Sequence, residues 1–142
     1  MSQIIRDITE IVRCTTQFRS EMLAPLGLKS CHASYLAEIC ATPGISQDQL
    51  ASRICINKSN VARQAAILEE DGFITRIPSP TDKRIMQLFP TQKTLELLPQ
   101  ITQILSGVEI FLTEGFSEQE KELLENMLAR MLSKASGWLE NH

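Results

Sequence analysis

Ile4, Ile8, Ile11, Phe18 and Met22 recur at steps of three and four, with Thr15 completing the line and Arg6, Arg13 and Glu21 mostly off it. This is the stripe of an amphipathic helix, and Pro25-Leu26-Gly27 ends it. A second helix is predicted over about Ser30–Ala41, closed by Thr42-Pro43-Gly44, because proline and glycine punctuate a helical pattern. Ser46-Gln47-Asp48-Gln49 is a capping box: the Ser46 hydroxyl accepts from the Gln49 amide while the Gln49 side chain reaches back to the Ser46 amide. Ile45 and Leu50 flank it at the spacing of a hydrophobic staple. The helix it opens runs about eight residues, to Ile54. Asn57 is the N-cap of the next, with Ile56 and Val61 as a second staple. That helix runs to about Asp71 and ends at Gly72, which accepts the left-handed conformation of a helix terminus. Two capped helices separated by three residues read as a helix-turn-helix.

After Gly72 the period changes. Phe73–Ile77 and Arg84–Phe89 are β-rich runs around Pro78-Ser79-Pro80-Thr81-Asp82-Lys83, a hairpin with a six-residue tip. Thr91 to about Gly115 is a long helix carrying Leu95, Leu98, Ile101, Leu105, Val108 and Leu112, with Pro99 inside it as a candidate kink. Ser117-Glu118-Gln119-Glu120, a second capping box, opens a last helix with Leu124, Met127, Leu128, Met131, Leu132, Ala135 and Trp138. The expected class is mainly α with a small β-hairpin wing. Its expected division is a winged helix-turn-helix lobe over 30–90 and a helical region from 1–29 and 91–142.

With 142 residues, 43% hydrophobic and 22% charged, the chain has the composition of a globular domain and not of a disordered or fibrous one. Its longest charge-free stretch, Leu97–Val108, is short of the roughly 20 apolar residues that span a bilayer. Charges among the first residues interrupt any signal-peptide core, so a cytoplasmic protein without a membrane partner is expected. Cys14, Cys31, Cys40 and Cys55 form no C-x-x-C pair, and His32 and His142 lie far apart, so neither a metal site nor a disulfide framework nor a cofactor is expected. Cys31-His32 resembles a nucleophile and base, but helix neighbours do not face each other. No phosphate loop or catalytic triad stands out, and no enzyme is expected.

The net charge of −3 argues against nucleic acid until its distribution is read. Between Arg53 and Arg84, six basic residues (Arg53, Lys58, Arg63, Arg76, Lys83, Arg84) meet four acidic ones (Glu69, Glu70, Asp71, Asp82). The segment from Glu114 onward is acidic. Turned at about 100 degrees per residue, the second helix of the motif puts Val61, Ala65 and Leu68 on one side and Ser59, Asn60, Arg63 and Glu70 on the other. Arg63 suits a guanine edge, Asn60 an adenine edge, and Lys58 and Ser59 the phosphates. A polar surface helix in an unrelated domain has the same pattern; the hairpin argues otherwise. Its tip offers Lys83 and Arg84 beside Asp82, and arginine suits the narrow minor groove, with Asp82 orienting Arg84 as a charge-assisted support.

These residues resemble the MarR family of winged helix-turn-helix transcriptional regulators. The resemblance lies in Pro43-Gly44-Ile45-Ser46-Gln47-Asp48-Gln49-Leu50-Ala51, Ser59-Asn60-Val61-Ala62-Arg63, Leu68-Glu69-Glu70-Asp71-Gly72-Phe73-Ile74-Thr75-Arg76 and the wing Asp82-Lys83-Arg84. Gln64 departs from it, standing where the family has an apolar residue. The resemblance implies a homodimer built on the first and last two helices, two recognition helices roughly 34–36 Å apart on double-stranded DNA, and a pseudo-palindromic operator. It also implies a repressor released by a small amphipathic or phenolic effector, with Phe18, Met22, His32 and Tyr35 lining the pocket. The same four side chains equally suit plain core. Two alternatives remain open: a winged-helix protein-interaction module without DNA binding, and a regulator that senses oxidants through Cys14, which a buried position between Ile11 and Phe18 would oppose.

Overall fold

The computed structural model describes residues 2–142. Helix α1 (Gln3–Leu23) is capped by the Ser2 hydroxyl and passes through a short 3-10 turn, Ala24–Leu26. Helix α2 (His32–Ala41) follows, two residues shorter at its start than the sequence suggests. The reason is local: the Lys29 amide donates to the His32 ring and His32 N–H to Lys29 O, a turn that precedes the helix. A two-residue strand β1 (Ile45–Ser46) leads into α3 (Gln47–Arg53), and α4 (Lys58–Glu70) completes the helix-turn-helix. The hairpin is β2 (Ile74–Pro78) and β3 (Met86–Pro90), followed by α5 (Gln92–Leu112) and α6 (Glu118–Glu140).

Both capping boxes are present, at Ser46/Gln49 and Ser117/Glu120, and Asn57 Oδ1 accepts from the Asn60 amide at 2.7 Å. Each such cap is worth about 0.5–2 kcal/mol. At Gly72, φ is +84° and the Phe73 amide reaches back to Leu68 O at 2.9 Å, the bond that ends α4. The terminus of α3 repeats this geometry with a side chain present: Cys55 sits at φ +57° while Ile56 N–H bonds Ala51 O.

The sheet has three antiparallel strands in the order β1-β3-β2. β1 pairs Ile45 with Leu88 and was not foreseen, since two residues carry no periodicity. The second wing strand begins at Met86, not Arg84, so Lys83, Arg84 and Ile85 belong to the tip. Ser79 N–H bonds Ile85 O across that longer tip at 2.8 Å.

One core unites the elements from α1 to α5. Leu23, Tyr35, Leu36, Ile39, Ile45, Leu50, Val61, Leu68, Phe73, Ile74, Leu88 and Ile101 are buried together, each worth roughly 1.5–3 kcal/mol in apolar burial. Tyr35 is fully buried, and its hydroxyl has no hydrogen-bond partner among the described residues.

The chain divides into two compact units, 1–108 and 109–142. In the first, α1 exposes Ile4, Ile5, Ile11, Val12, Phe18 and Met22. In the second, α6 buries no residue at all and exposes Leu123, Met127, Leu128, Met131, Leu132, Trp138 and Leu139. Helix α5 is long and apolar enough to cross a membrane by length and composition, against the expectation from sequence. Glu96 and Glu109 nonetheless bound its charge-free stretch, and Ile101 and Val108 are buried in the protein.

Candidate functional site

Val61, Ala65 and Leu68 anchor α4 in the core, which fixes the direction its other side faces. Lys58, Ser59, Arg63 and Glu70 are exposed there, and Asn60 is half-buried at the edge. Asn57 Oδ1 caps the helix and also accepts from the Ser59 hydroxyl at 2.9 Å, so the first turn is held from two sides. Arg63 Nη2 donates to Asn60 Oδ1. Asn60 is therefore engaged as a clamp on Arg63, where the sequence suggested an independent contact. Lys58 Nζ lies 3.4 Å from Asp48 of α3, a pair exposed on both sides and worth about 0–1 kcal/mol.

The wing tip is more ordered than an exposed loop requires. Asp82 Oδ1 accepts from the Arg84 amide at 3.0 Å and from Arg84 Nε at 3.1 Å, while Oδ2 accepts from Nη2 at 3.0 Å. Asp82 is 30% exposed and the Arg84 side chain 90%. The fork holds the Asp82 carboxyl below its ordinary pKa, first through the Arg84 side chain and then through its amide, so the carboxylate is ionised at neutral pH. Lys83 is exposed beside it.

Wing and helix are joined by a strut that the sequence reading did not single out. Glu69, near the end of α4, accepts from Arg76 of β2 three times: from the backbone amide at 2.9 Å, from Nε at 3.1 Å and from Nη2 at 3.1 Å. Arg76 Nη1 also reaches Gln47 at the start of α3. β2 is an outer strand, and the carboxylate satisfies an amide that the sheet leaves outward. Glu69 and Arg76 straddle Gly72 at a separation of seven residues, which is the signal that was available.

His32 and Tyr35 are buried in the core, their rings edge-on with centroids 6.4 Å apart. His32 Nδ1 accepts from the Lys29 amide at 3.1 Å, and Nε2 lies 2.9 Å from Gln64 Oε1 on α4. Burial, foremost, pushes the ring pKa down, so it is neutral at physiological pH. Gln64 is thus the polar residue that answers a buried histidine.

Phe18 and Met22 do line a hollow, of about 420 Å³, between α1 and α5. Pro25 and Leu26, with Gln100, Gln103, Ile104 and Gly107 of α5, complete its lining. His32 and Tyr35, expected beside Phe18 and Met22, are not in this lining, because their helix turns them into the core. Cys14 is exposed, correcting the expectation of burial, and lies 3.8 Å from Arg13 Nη2 and 3.9 Å from Glu10 Oε1. Arg13 itself is paired with Glu10. Among the described residues no group of His, Cys, Asp or Glu is placed to hold a metal ion.

Residues 30–86 match the model of the MarR family. The chain is 31% identical over 131 residues to the uncharacterized HTH-type transcriptional regulator YybA of Bacillus subtilis, covering 92% of this chain and 87% of that one. Among solved structures it is similar to the transcriptional regulator SlyA, with a TM-score of 0.90, 29% identity and 96% of each chain covered. A MarR family regulator from Listeria monocytogenes complexed with a 26mer DNA is comparable, at a TM-score of 0.89 and 29% identity over 98% of this chain and 93% of that one.

Proposed function

Because the chain belongs to the MarR family and is thus a DNA-binding transcriptional regulator, we propose that it acts in the cytoplasm as a homodimeric repressor of a pseudo-palindromic operator. Each α4 enters a major groove. Arg63 reads a base edge, held in place by Asn60, while Ser59 and Lys58 meet the flanking phosphates. Arg84 enters the neighbouring minor groove with Asp82 as its support, and Lys83 adds a phosphate contact.

The observation that carries this assignment is the Asp82–Arg84 fork. An arginine that is 90% exposed has no packing reason to be fixed, yet three hydrogen bonds hold it. Holding it in advance removes part of the side-chain ordering from the binding step. Arg84→Ala is expected to weaken binding to every duplex and, with one site in each protomer, to make the slope of log K against log salt shallower by about 1.8. Fluorescence anisotropy over a salt series measures both. An unchanged slope removes Arg84 from the interface.

The dimer is supported by α6, whose apolar residues find no cover within their own unit. Light scattering after size exclusion should give twice the 16.0 kDa of one chain. The hollow beside Phe18 and Met22 is the effector site. Its volume is within the range of small-ligand pockets, and apolar walls with two carboxamides suit a small amphipathic or phenolic ligand. Binding there favours a lobe spacing that no longer fits the operator. A second reading, oxidant sensing at Cys14, is supported by that thiol's exposure; DNA binding indifferent to peroxide excludes it.

A further inference from the structure

His32 opens α2 and is 2% exposed. Two hydrogen bonds fix its protonation state. Nδ1 lies 3.1 Å from the Lys29 backbone nitrogen, a group with only a proton to offer, so Nδ1 is an acceptor without hydrogen. Nε2 then holds the ring proton and donates it to Gln64 Oε1 at 2.9 Å. Gln64 follows Arg63 on α4. A neutral ring of one tautomer pins the helix whose outer side is assigned to DNA.

Protonation changes one atom. The imidazolium carries hydrogen on both nitrogens, so Nδ1–H would point at Lys29 N–H, donor against donor. Relief requires the ring or the turn before α2 to move, and either motion withdraws Nε2 from Gln64. The groups around the ring are Lys29 in the connection, Tyr35 on α2, Gln64 on α4 and Asp71 just beyond the end of α4. Burial and Lys29 oppose the charged form, whereas the Gln64 bond and Asp71 favour it.

We propose that His32 is a positioning residue for the recognition helix: its neutral Nε2–H tautomer holds Gln64, and uptake of a proton at Nδ1 releases α4 and weakens DNA binding. This rests on the assignment of α4 to DNA. The sign is diagnostic, because added positive charge otherwise strengthens attachment to phosphates. A ring whose folded pKa lies below its ordinary value near 6.5 contributes fully above that value. The contribution is lost as pH falls through the lowered value of the folded ring. A bound state that excludes the proton loses affinity about tenfold for each pH unit in which the free ring is charged.

The test uses the full chain, a labelled duplex taken from immediately upstream of its own coding sequence, and constant ionic strength from about pH 5 to 8. Nitrogen NMR of the free protein follows the His32 ring and the Gln64 side-chain amide in parallel. The expected results are an Nε2–H tautomer at neutral pH, a Gln64 amide that titrates with the ring, and an acid loss of affinity. His32→Gln keeps a donor for Gln64 and does not titrate, so it should bind within about threefold of wild type at neutral pH and stay flat. His142→Gln should retain the acid loss. A parallel acid loss in His32→Gln, a ring charged at neutral pH, or a Gln64 amide indifferent to the ring overturns the proposal. A duplex left unbound at every pH counts against the DNA assignment instead, and the Gln64 amide still decides the link.

Discussion

Removing the Glu69 carboxylate separates two contributions that the strut combines. Glu69→Gln keeps its one amide oxygen for the Arg76 backbone N–H but sets an NH2 where Oε1 accepted from Nε and Nη2, so the two guanidinium bonds are lost. With the Glu69 side chain 38% exposed and that of Arg76 24%, water replaces part of what is lost, and about 0.5 kcal/mol is expected. Glu69→Ala also leaves the amide of an outer strand without a protein acceptor. An unpaired part-buried donor costs about 1–3 kcal/mol; discounted for exposure, the total is about 1.5 kcal/mol. In urea, with a slope near 2 kcal/mol/M, midpoints should fall by roughly 0.25 M and 0.75 M at equal slope and protein concentration. Arg76 holds the Glu69 carboxyl below its ordinary pKa of 4.5, first through the backbone amide. Its stabilisation is therefore complete above that value and lost as pH falls through the lowered one. The deficit of Glu69→Gln should shrink in the same window. Equal midpoints for the Gln and Ala variants would refute the role given to the backbone amide.

Other substitutions test separate elements. Asn60→Ala should lower discrimination at one operator position, by about 1–3 kcal/mol if Arg63 loses its orientation, with the salt slope unchanged; selection from a randomised duplex library reads this directly. Cys55→Gly relieves a left-handed backbone that carries a side chain and should raise stability by about 0.5–1 kcal/mol, measured by urea unfolding. Gly44→Ala should destabilise by about 1 kcal/mol or more, since φ is +91°, a conformation that strains any side chain, while the new Cβ would make only an ordinary contact with the Phe89 ring at 3.5 Å; an unchanged urea midpoint would contradict that backbone.

Much of the architecture was legible because it is local. Ser46, Asn57 and Ser117 mark helix starts by chemistry confined to four residues, and Gly72 marks an end in the same way. What was missed depends on partners distant in sequence. β1 exists only because Ile45 meets Leu88, and the late start of β3 follows from the Ser79–Ile85 bond across the tip. The punctuation at Thr42-Pro43-Gly44 located a helix at α2 without showing that His32 meets Gln64, 32 residues away. Gln64 itself was visible as a polar residue where the family has an apolar one. The wing fork was legible from Asp82 and Arg84, two residues apart, whereas the Glu69–Arg76 strut needed the turn at Gly72 to bring its ends together.

The central claim is that α4 and the wing together bind a specific duplex. It is tested most directly by anisotropy of the wild-type protein with DNA from immediately upstream of its coding sequence, beside a scrambled duplex of equal composition, over a salt series. The account predicts tighter binding to the native duplex and affinity for both that falls steeply with salt. A folded dimer that binds neither duplex at low salt would contradict it.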